Sequence, residues 1–243
     1  MKKNVLFVLL FLAFTLSASS QGWNGDVRAG FGYYNLYDVK ALQLNLMKET
    51  NLTHVKPVEA FPGSLFYSVS ANYSLNPRDR VGLDFNYYTT GGRNHVKDYS
   101  GEYKLDMILN GARIGAKYAR FNRIYSKFYL GVQLSGGCII SNLDLDEYLK
   151  VYEKTIADEE YKLTGVGIYV EPSVLLSYHL LENTHINLMG GYEQDIEGEL
   201  HLRGNNDQKT GKNADWSGLR ISLGVNYTFS LEKKGTEVNK QYQ

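Results

Sequence analysis

The chain has 243 residues, with 26 basic and 26 acidic side chains, 24 Gly, 20 Tyr, 4 Pro and a single cysteine. The balanced charge leaves no polybasic footprint for nucleic acid, and one cysteine rules out an intramolecular disulfide framework. The length allows one or two domains.

Residues 1–20, MKKNVLFVLLFLAFTLSASS, combine a basic start, an apolar stretch from Val5 to Leu16 and small residues at Ala18 and Ser20. That pattern predicts a secretory signal peptide cleaved after Ser20. The apolar stretch is short for a spanning helix, which needs roughly 20 residues, and no second long apolar run follows. In the first predicted strand, WNGDVRAGFGYY, Trp23, Val27, Ala29, Phe31 and Tyr33 alternate with Asn24, Asp26, Arg28, Gly30 and Gly32. Alternation at period two places the two sets on opposite faces of a pleat. In YDVKALQLNLMKE, Val39, Leu42 and Leu46 recur at helical spacing, which predicts an amphipathic turn.

Residues 67–88, YSVSANYSLNPRDRVGLDFNYY, read as a hairpin. Tyr67, Val69, Ala71, Tyr73 and Leu75 share one face, Asn-Pro and Asp suit a tight turn, and Val81, Leu83, Phe85 and Tyr87 continue the pattern. TTGGRNHVKDYSGEY, Thr89 to Tyr103, is expected as a loop whose Arg93, His95, Asp98 and Tyr99 form a candidate recognition surface for an unidentified extracellular ligand. The fourth strand starts with Tyr103, Leu105, Met107 and Leu109 on its apolar face and ends with Ala112, Ile114, Ala116 and Tyr118 there. The phase slips by one near Asn110 and Gly111, which predicts a β-bulge.

The fifth strand aligns Phe128, Leu130, Val132, Leu134 and Cys138, so the cysteine falls on an apolar face. DLDEYLKVYEKTIADEEYKL, Asp144 to Leu163, reads as an acidic solvated loop or short helix, without the Gly and ligand spacing of a calcium loop. The sixth strand aligns Val166, Ile168, Val170, Val174, Leu176 and Tyr178, with Pro172 inside it. The seventh, HINLMGGYEQD, has Met189 among polar neighbours. The eighth, WSGLRISLGVNYTF, aligns Leu219, Ile221, Leu223, Val225, Tyr227 and Phe229. Residues 231–243 read as a polar tail.

Short turns join strands 2–3, 4–5 and 6–7, while long polar segments join the others and emerge at one end, the asymmetry of transmembrane barrels. The polar face is rich in Gly and Ser, which suits the crowded inner wall of an eight-stranded barrel. On that face Arg28, Arg80, Lys104, Arg113, Lys117 and Arg220 stand against Asp26, Asp84, Asp106, Glu171, Glu193 and Asp195, and mixed signs can pair inside an enclosed lumen. Trp23, Tyr73, Tyr118, Phe128, Tyr178, Tyr227 and Phe229 are expected as one interfacial girdle, and Phe31, Tyr33, Tyr87, Tyr103 and Tyr192 as the other. The fold class is therefore all-β: an antiparallel up-and-down transmembrane barrel of eight strands over residues 21–230.

This pattern, over residues 21–229, resembles the small eight-stranded outer-membrane β-barrel proteins of Gram-negative bacteria, of the OmpX, OmpA-domain and opacity-protein type. SLGVNYTF, with Ser222, Gly224, Tyr227 and Phe229, resembles the assembly signal of that family; the tail after Phe229 departs from the usual terminal aromatic. The resemblance implies outer-membrane localisation, with outer-membrane lipid and the barrel assembly machinery as partners. The expected function is a structural or surface-interaction role carried by extracellular loops above a plugged lumen. A lipid-active barrel enzyme and a soluble lipocalin-like carrier are the alternatives. GxSxG, HExxH, a P-loop and paired CxxC motifs are absent, and Ser177 and His179 read as a structural pair. No cofactor, metal or nucleic acid is expected.

Overall fold

The computed structural model describes residues 22–49, 61–196, 198–204 and 209–229. The predicted leader at 1–20 and the tail at 231–243 lie outside them. The described elements are β1 (Trp23–Tyr34), α1 (Tyr37–Glu49), β2 (Ser64–Ser74), β3 (Asp79–Lys97), β4 (Gly101–Tyr125), β5 (Phe128–Val151), β6 (Lys154–Leu181), β7 (Thr184–Ile196), β8 (Glu199–Leu202), β9 (Lys209–Asn213) and β10 (Gly218–Thr228).

Each strand from β1 to β7 pairs antiparallel with the next, β7 pairs with β10, and β10 returns to β1. Eight strands thus close into a ring, while β8 and β9 form a small hairpin joined to β6 at Leu163 and Thr164. Closure is in register, with Val27 opposite Val225 and Phe31 opposite Ile221. No described helix is long and apolar enough to cross a membrane.

The outward face is an apolar band: Val27 is 61% exposed, Leu83 63%, and Ile114, Val132, Val174 and Leu223 are similarly bare. A continuous apolar band around a closed ring far exceeds the patches of a few hundred Å² that water-soluble monomers carry. Lipid is the medium it fits. At the short-turn end, aromatic rings pair across neighbouring strands: Trp23 with Tyr73 at 5.3 Å and Phe128 with Tyr178 at 5.0 Å between centroids. The short turn between β2 and β3 is held by Asn76, whose Oδ1 accepts the N–H groups of Arg78 and Asp79 at 2.8 Å.

Three sequence expectations are corrected at the opposite end. The segments 89–103 and 144–163 are not loops: β3 and β4 run on to Lys97 and Gly101, and β5 and β6 to Val151 and Lys154. The acidic segment is a hairpin, turning at Tyr152 and Glu153. There is also no bulge at Asn110 and Gly111. Pairing passes through them unbroken on both sides, and the one register shift between β4 and β5 lies between Arg123 and Tyr125.

What changes near Gly111 is the surroundings. Tyr103, Leu105, Met107 and Leu109 are buried, on the same inner face as Arg113 and Lys117 further down. Past the rim the outside of the strand meets water instead of lipid, so apolar side chains move to the inside without any slip in register. Tyr103 accordingly does not join the outer girdle. These residues pack with Tyr34, Leu36, Phe61, Leu143, Leu163, Leu200 and Trp216 into one apolar core across the barrel mouth. Helix α1 lies over it, burying Val39 and Met47, with Asp38 in its first turn and Lys48 in its last complementing the helix dipole.

Candidate functional site

The inner face stacks polar groups in layers. Nearest the short turns, the Arg80 guanidinium lies 4.7 Å from the centre of the Phe121 ring and donates to Asn226 Oδ1 at 3.4 Å. Above it, Arg28 Nε sits 3.0 Å from Asp26 Oδ2, and Lys117 Nζ donates to Ser70 Oγ at 2.7 Å while standing 3.8 Å from the same Asp26 oxygen. Arg28 Nη1 meets Met189 Sδ at 2.7 Å, which explains a methionine on a polar face. The cavity at this level measures about 20 Å³, room for roughly one water.

The middle layer is the densest. Arg113 reaches Asp84 at 3.3 Å, Glu171 at 2.5 Å and Glu193 at 2.6 Å; Arg220 reaches Glu171 at 3.1 Å and Glu193 at 2.5 Å. Tyr88 donates its hydroxyl to Glu193. Arg113 lies 4.2 Å from the Tyr169 ring centre, and Arg220 lies 3.9 Å from that of Phe66. Asp195 stands higher, its Oδ2 accepting the Trp216 N–H at 3.1 Å, and Trp216 Nε1 donates to Ser141 Oγ.

The lumen therefore holds Arg28, Arg80, Arg113, Lys117 and Arg220 with Asp26, Asp84, Glu171, Glu193 and Asp195. Lys104 and Asp106 do not belong there. They lie on the outer face of the projecting part of β4, paired with each other at 2.7 Å and with Arg93, whose Nε is 2.5 Å from Asp106. The error follows from the assumed bulge, which exchanged the faces. Sequence reasoning also missed the lumen aromatics Tyr34, Phe66, Tyr88 and Trp216. The signal was the glycines facing them: a Cβ at Gly111 would come within 2.6 Å of the Tyr88 ring and 2.8 Å of Trp216.

β3 to β6 rise together past the rim as a four-stranded sheet. Its rows read Arg93, Asp106, Asp146, Glu160 and, one step out, His95, Lys104, Tyr148, Asp158. Of the loop residues singled out, Arg93 is tied to Asp106, and His95 with Lys97 grips Glu102 at 2.9 and 3.0 Å. Those bonds, from His95 first, hold the Glu102 carboxyl below its usual range. Asp98 caps the turn, its Oδ1 accepting from Ser100 Oγ, Ser100 N and Gly101 N, which lowers its carboxyl too. Tyr99 stands 95% exposed. Across the sheet, β5 and β6 face acid to acid, Asp146 opposite Glu160 and Glu147 opposite Glu159. Among the described residues the outer edge of β6 from Lys154 to Lys162 has no strand beside it.

In β10, Ser222 and Gly224 face inward, and a Cβ at Gly224 would strike the Arg28 side chain, so that glycine makes room for a lumen arginine. Tyr227 and Phe229 face outward with ring centres 5.3 Å apart. Ser177 is buried, while His179 stacks on His185 at 4.7 Å. Among the described residues no metal-holding cluster of His, Cys, Asp or Glu occurs.

No family model and no curated protein matches the sequence. Among solved structures, Neisserial surface protein A is similar at 15% identity, covering 86% of this chain and 98% of that one, with a TM-score of 0.43. Ail, the attachment invasion locus protein of Yersinia pestis, solved with the heparin analogue sucrose octasulfate, has 13% identity, 86% and 100% coverage and a TM-score of 0.45. A major outer membrane protein from Thermus thermophilus has 12% identity, 85% and 99% coverage and a TM-score of 0.47. The barrel assignment rests on the closed pairing ring and the outward apolar band rather than on these likenesses.

Proposed function

We propose that this chain is a non-conducting outer-membrane β-barrel protein of a Gram-negative bacterium, exported by the leader at 1–20 and inserted by the barrel assembly machinery through Ser222 to Phe229. Its role is interaction at the cell surface. The observation that carries this reading is the projecting β3–β6 sheet, which rises beyond the rim on a rigid closed base and ends in exposed main-chain edge and acidic rows. An unpaired strand edge is a ready template for an added strand. The recognition surface is thus the sheet rather than the loops the sequence suggested, with Tyr99 at one tip and Tyr152 at the other.

The lumen supports the non-conducting part. An eight-stranded barrel has an interior just wide enough for side chains, and here paired arginines and carboxylates cross it beneath an apolar core. We read the protein as a non-enzyme because His179 is engaged with His185 rather than with Ser177. The test is to replace residues 144–163 with a two-residue turn and compare adhesion of cells carrying the full and shortened proteins to immobilised matrix proteins. Equal adhesion at equal surface levels would remove the sheet from the function.

A further inference from the structure

The outward apolar band is not smooth. Across β3 to β6 it holds a hollow of about 400 Å³, walled by Val81, Tyr118, Leu134 and Val170 and floored by Ala116 and Gly136. One row of pairing makes it. Ala116 stands opposite Gly136, so two adjacent strands offer a methyl group and a hydrogen where the next row offers Tyr118 opposite Leu134. A wall with no atoms facing it forfeits its dispersion contacts. Within the apolar band an alkyl chain restores them.

Below the hollow, at the short-turn end, the surface turns basic. Arg120 is the next outward residue of β4 after Tyr118; its side chain is 51% exposed, and its ion pair with Asp79 is long at 3.8 Å. Asp79 is held instead by Tyr118, whose hydroxyl donates to Oδ1 at 2.6 Å, and by Asn76, whose Nδ2 donates to Oδ2 at 2.8 Å. The Arg78 carbonyl accepts the Phe121 N–H at 2.8 Å, which brings Arg78 against the foot of β4. Arg123 and Lys127 stand at the next turn, where Arg123 Nε donates to the Ser126 carbonyl at 3.0 Å. Among the described residues, the charges outside the lumen at this end are Arg78, Arg120, Arg123 and Lys127 against Asp79 and Glu182.

The two features lie in the order of a lipid molecule, an apolar hollow in the band and guanidinium groups at the interface beneath it. Guanidinium pairs with phosphate through two parallel hydrogen bonds, and basic groups at a membrane surface attract anionic lipid. We propose that the hollow and the arginines below it bind an anionic phospholipid of the leaflet at the short-turn end, with an acyl chain along Ala116 and Gly136 and the phosphate on Arg120 and Arg78. The site rests on the outer-membrane barrel reading, in which that leaflet is the periplasmic one.

The test uses the mature protein refolded in dodecyl maltoside and native mass spectrometry with equimolar dioleoylphosphatidylglycerol and dioleoylphosphatidylcholine. A wild-type chain with no heat-modifiable form would refute the barrel reading and the site with it, so the lipid outcomes are read on closed barrels. Phosphatidylglycerol should exceed phosphatidylcholine about fivefold or more in the one-lipid complex, roughly what one arginine near an anionic surface contributes. Arg120→Gln combined with Arg78→Gln should bring the two lipids to parity. Ala116→Leu, which fills the floor, should lower occupancy by both lipids, whereas Ala71→Leu, equally outward on β2, should not. The proposal is overturned by equal occupancy of the two lipids in the wild type, by an excess that survives the double replacement, by Ala116→Leu and Ala71→Leu acting alike, or by a lipid-free dimer in which a second copy covers the hollow.

Discussion

Glu193 is the most heavily engaged carboxylate of the lumen, and Glu193→Gln tests whether the middle layer is an ion network. Its Oε2 lies 2.6 Å from Arg113 and 2.5 Å from Arg220, and all three side chains are fully or almost fully buried. Glutamine keeps the shape and removes only the charge, so two guanidinium groups are left to share Glu171 and Asp84. Breaking a buried pair by removing one partner costs about 3–5 kcal/mol. By contrast, Lys104→Met removes an exposed partner of Asp106 that keeps Arg93, and such surface pairs contribute about 0–1 kcal/mol. Urea unfolding followed by heat-modifiable gel mobility reads both. With a slope of about 1–3 kcal/mol per M, Glu193→Gln should lower the midpoint by at least about 1 M and Lys104→Met by much less. Equal, small shifts would refute the buried network and the placement of Lys104 outside it.

Val132→Arg should cost about 2–4 kcal/mol if this outward position of the apolar band lies at the bilayer midplane, and detergent refolding yields compared with those of arginine at the exposed turn residue Glu153 would show it. Trp216→Ala should cost about 3–5 kcal/mol by leaving a cavity under α1, measured by the same urea titration. Tyr227→Ala combined with Phe229→Ala should reduce the fraction of protein recovered in outer membranes, whereas deleting residues 232–243 should not. On the non-conducting reading proposed above, purified protein in planar bilayers should give no stable large conductance steps; steps that pass small sugars would contradict that reading.

The strand order and the lipid-facing register were legible because period-two alternation is enforced on every strand by two different media. Val27, Leu83, Val132 and Leu223 announce lipid on one side, and Ser68, Asn86 and Ser222 announce a confined lumen on the other. The projecting sheet was hidden for the same physical reason. Past the rim the outer medium becomes water, so the apolar set crosses to the inside, and in β4 this produces the same one-residue phase change that a bulge would. Sequence alone offers both explanations. The pairing of Thr89 with Asn110 and Tyr88 with Gly111 decides between them.

That exchange of faces also locates the membrane boundary. Below Gly111 the outward residues of β4 are Ala112, Ile114, Ala116 and Tyr118; above it they are Asp106 and Lys104, with Ile108 between. β5 turns over at the same height, from outward Ile140 to outward Asp144 and Asp146, because Asn110 pairs with Asn142 and Ile108 with Asp144. β6 follows, from outward Val166 to outward Lys162 and Glu160, at positions paired with Ile140, Asp144 and Asp146. Three adjacent strands inverting along one line of paired residues cannot be three independent irregularities. They mark the plane where lipid gives way to water, and beyond it the outward side chains of the projecting sheet, Arg93, Lys104, Asp146 and Glu160 among them, stand in water.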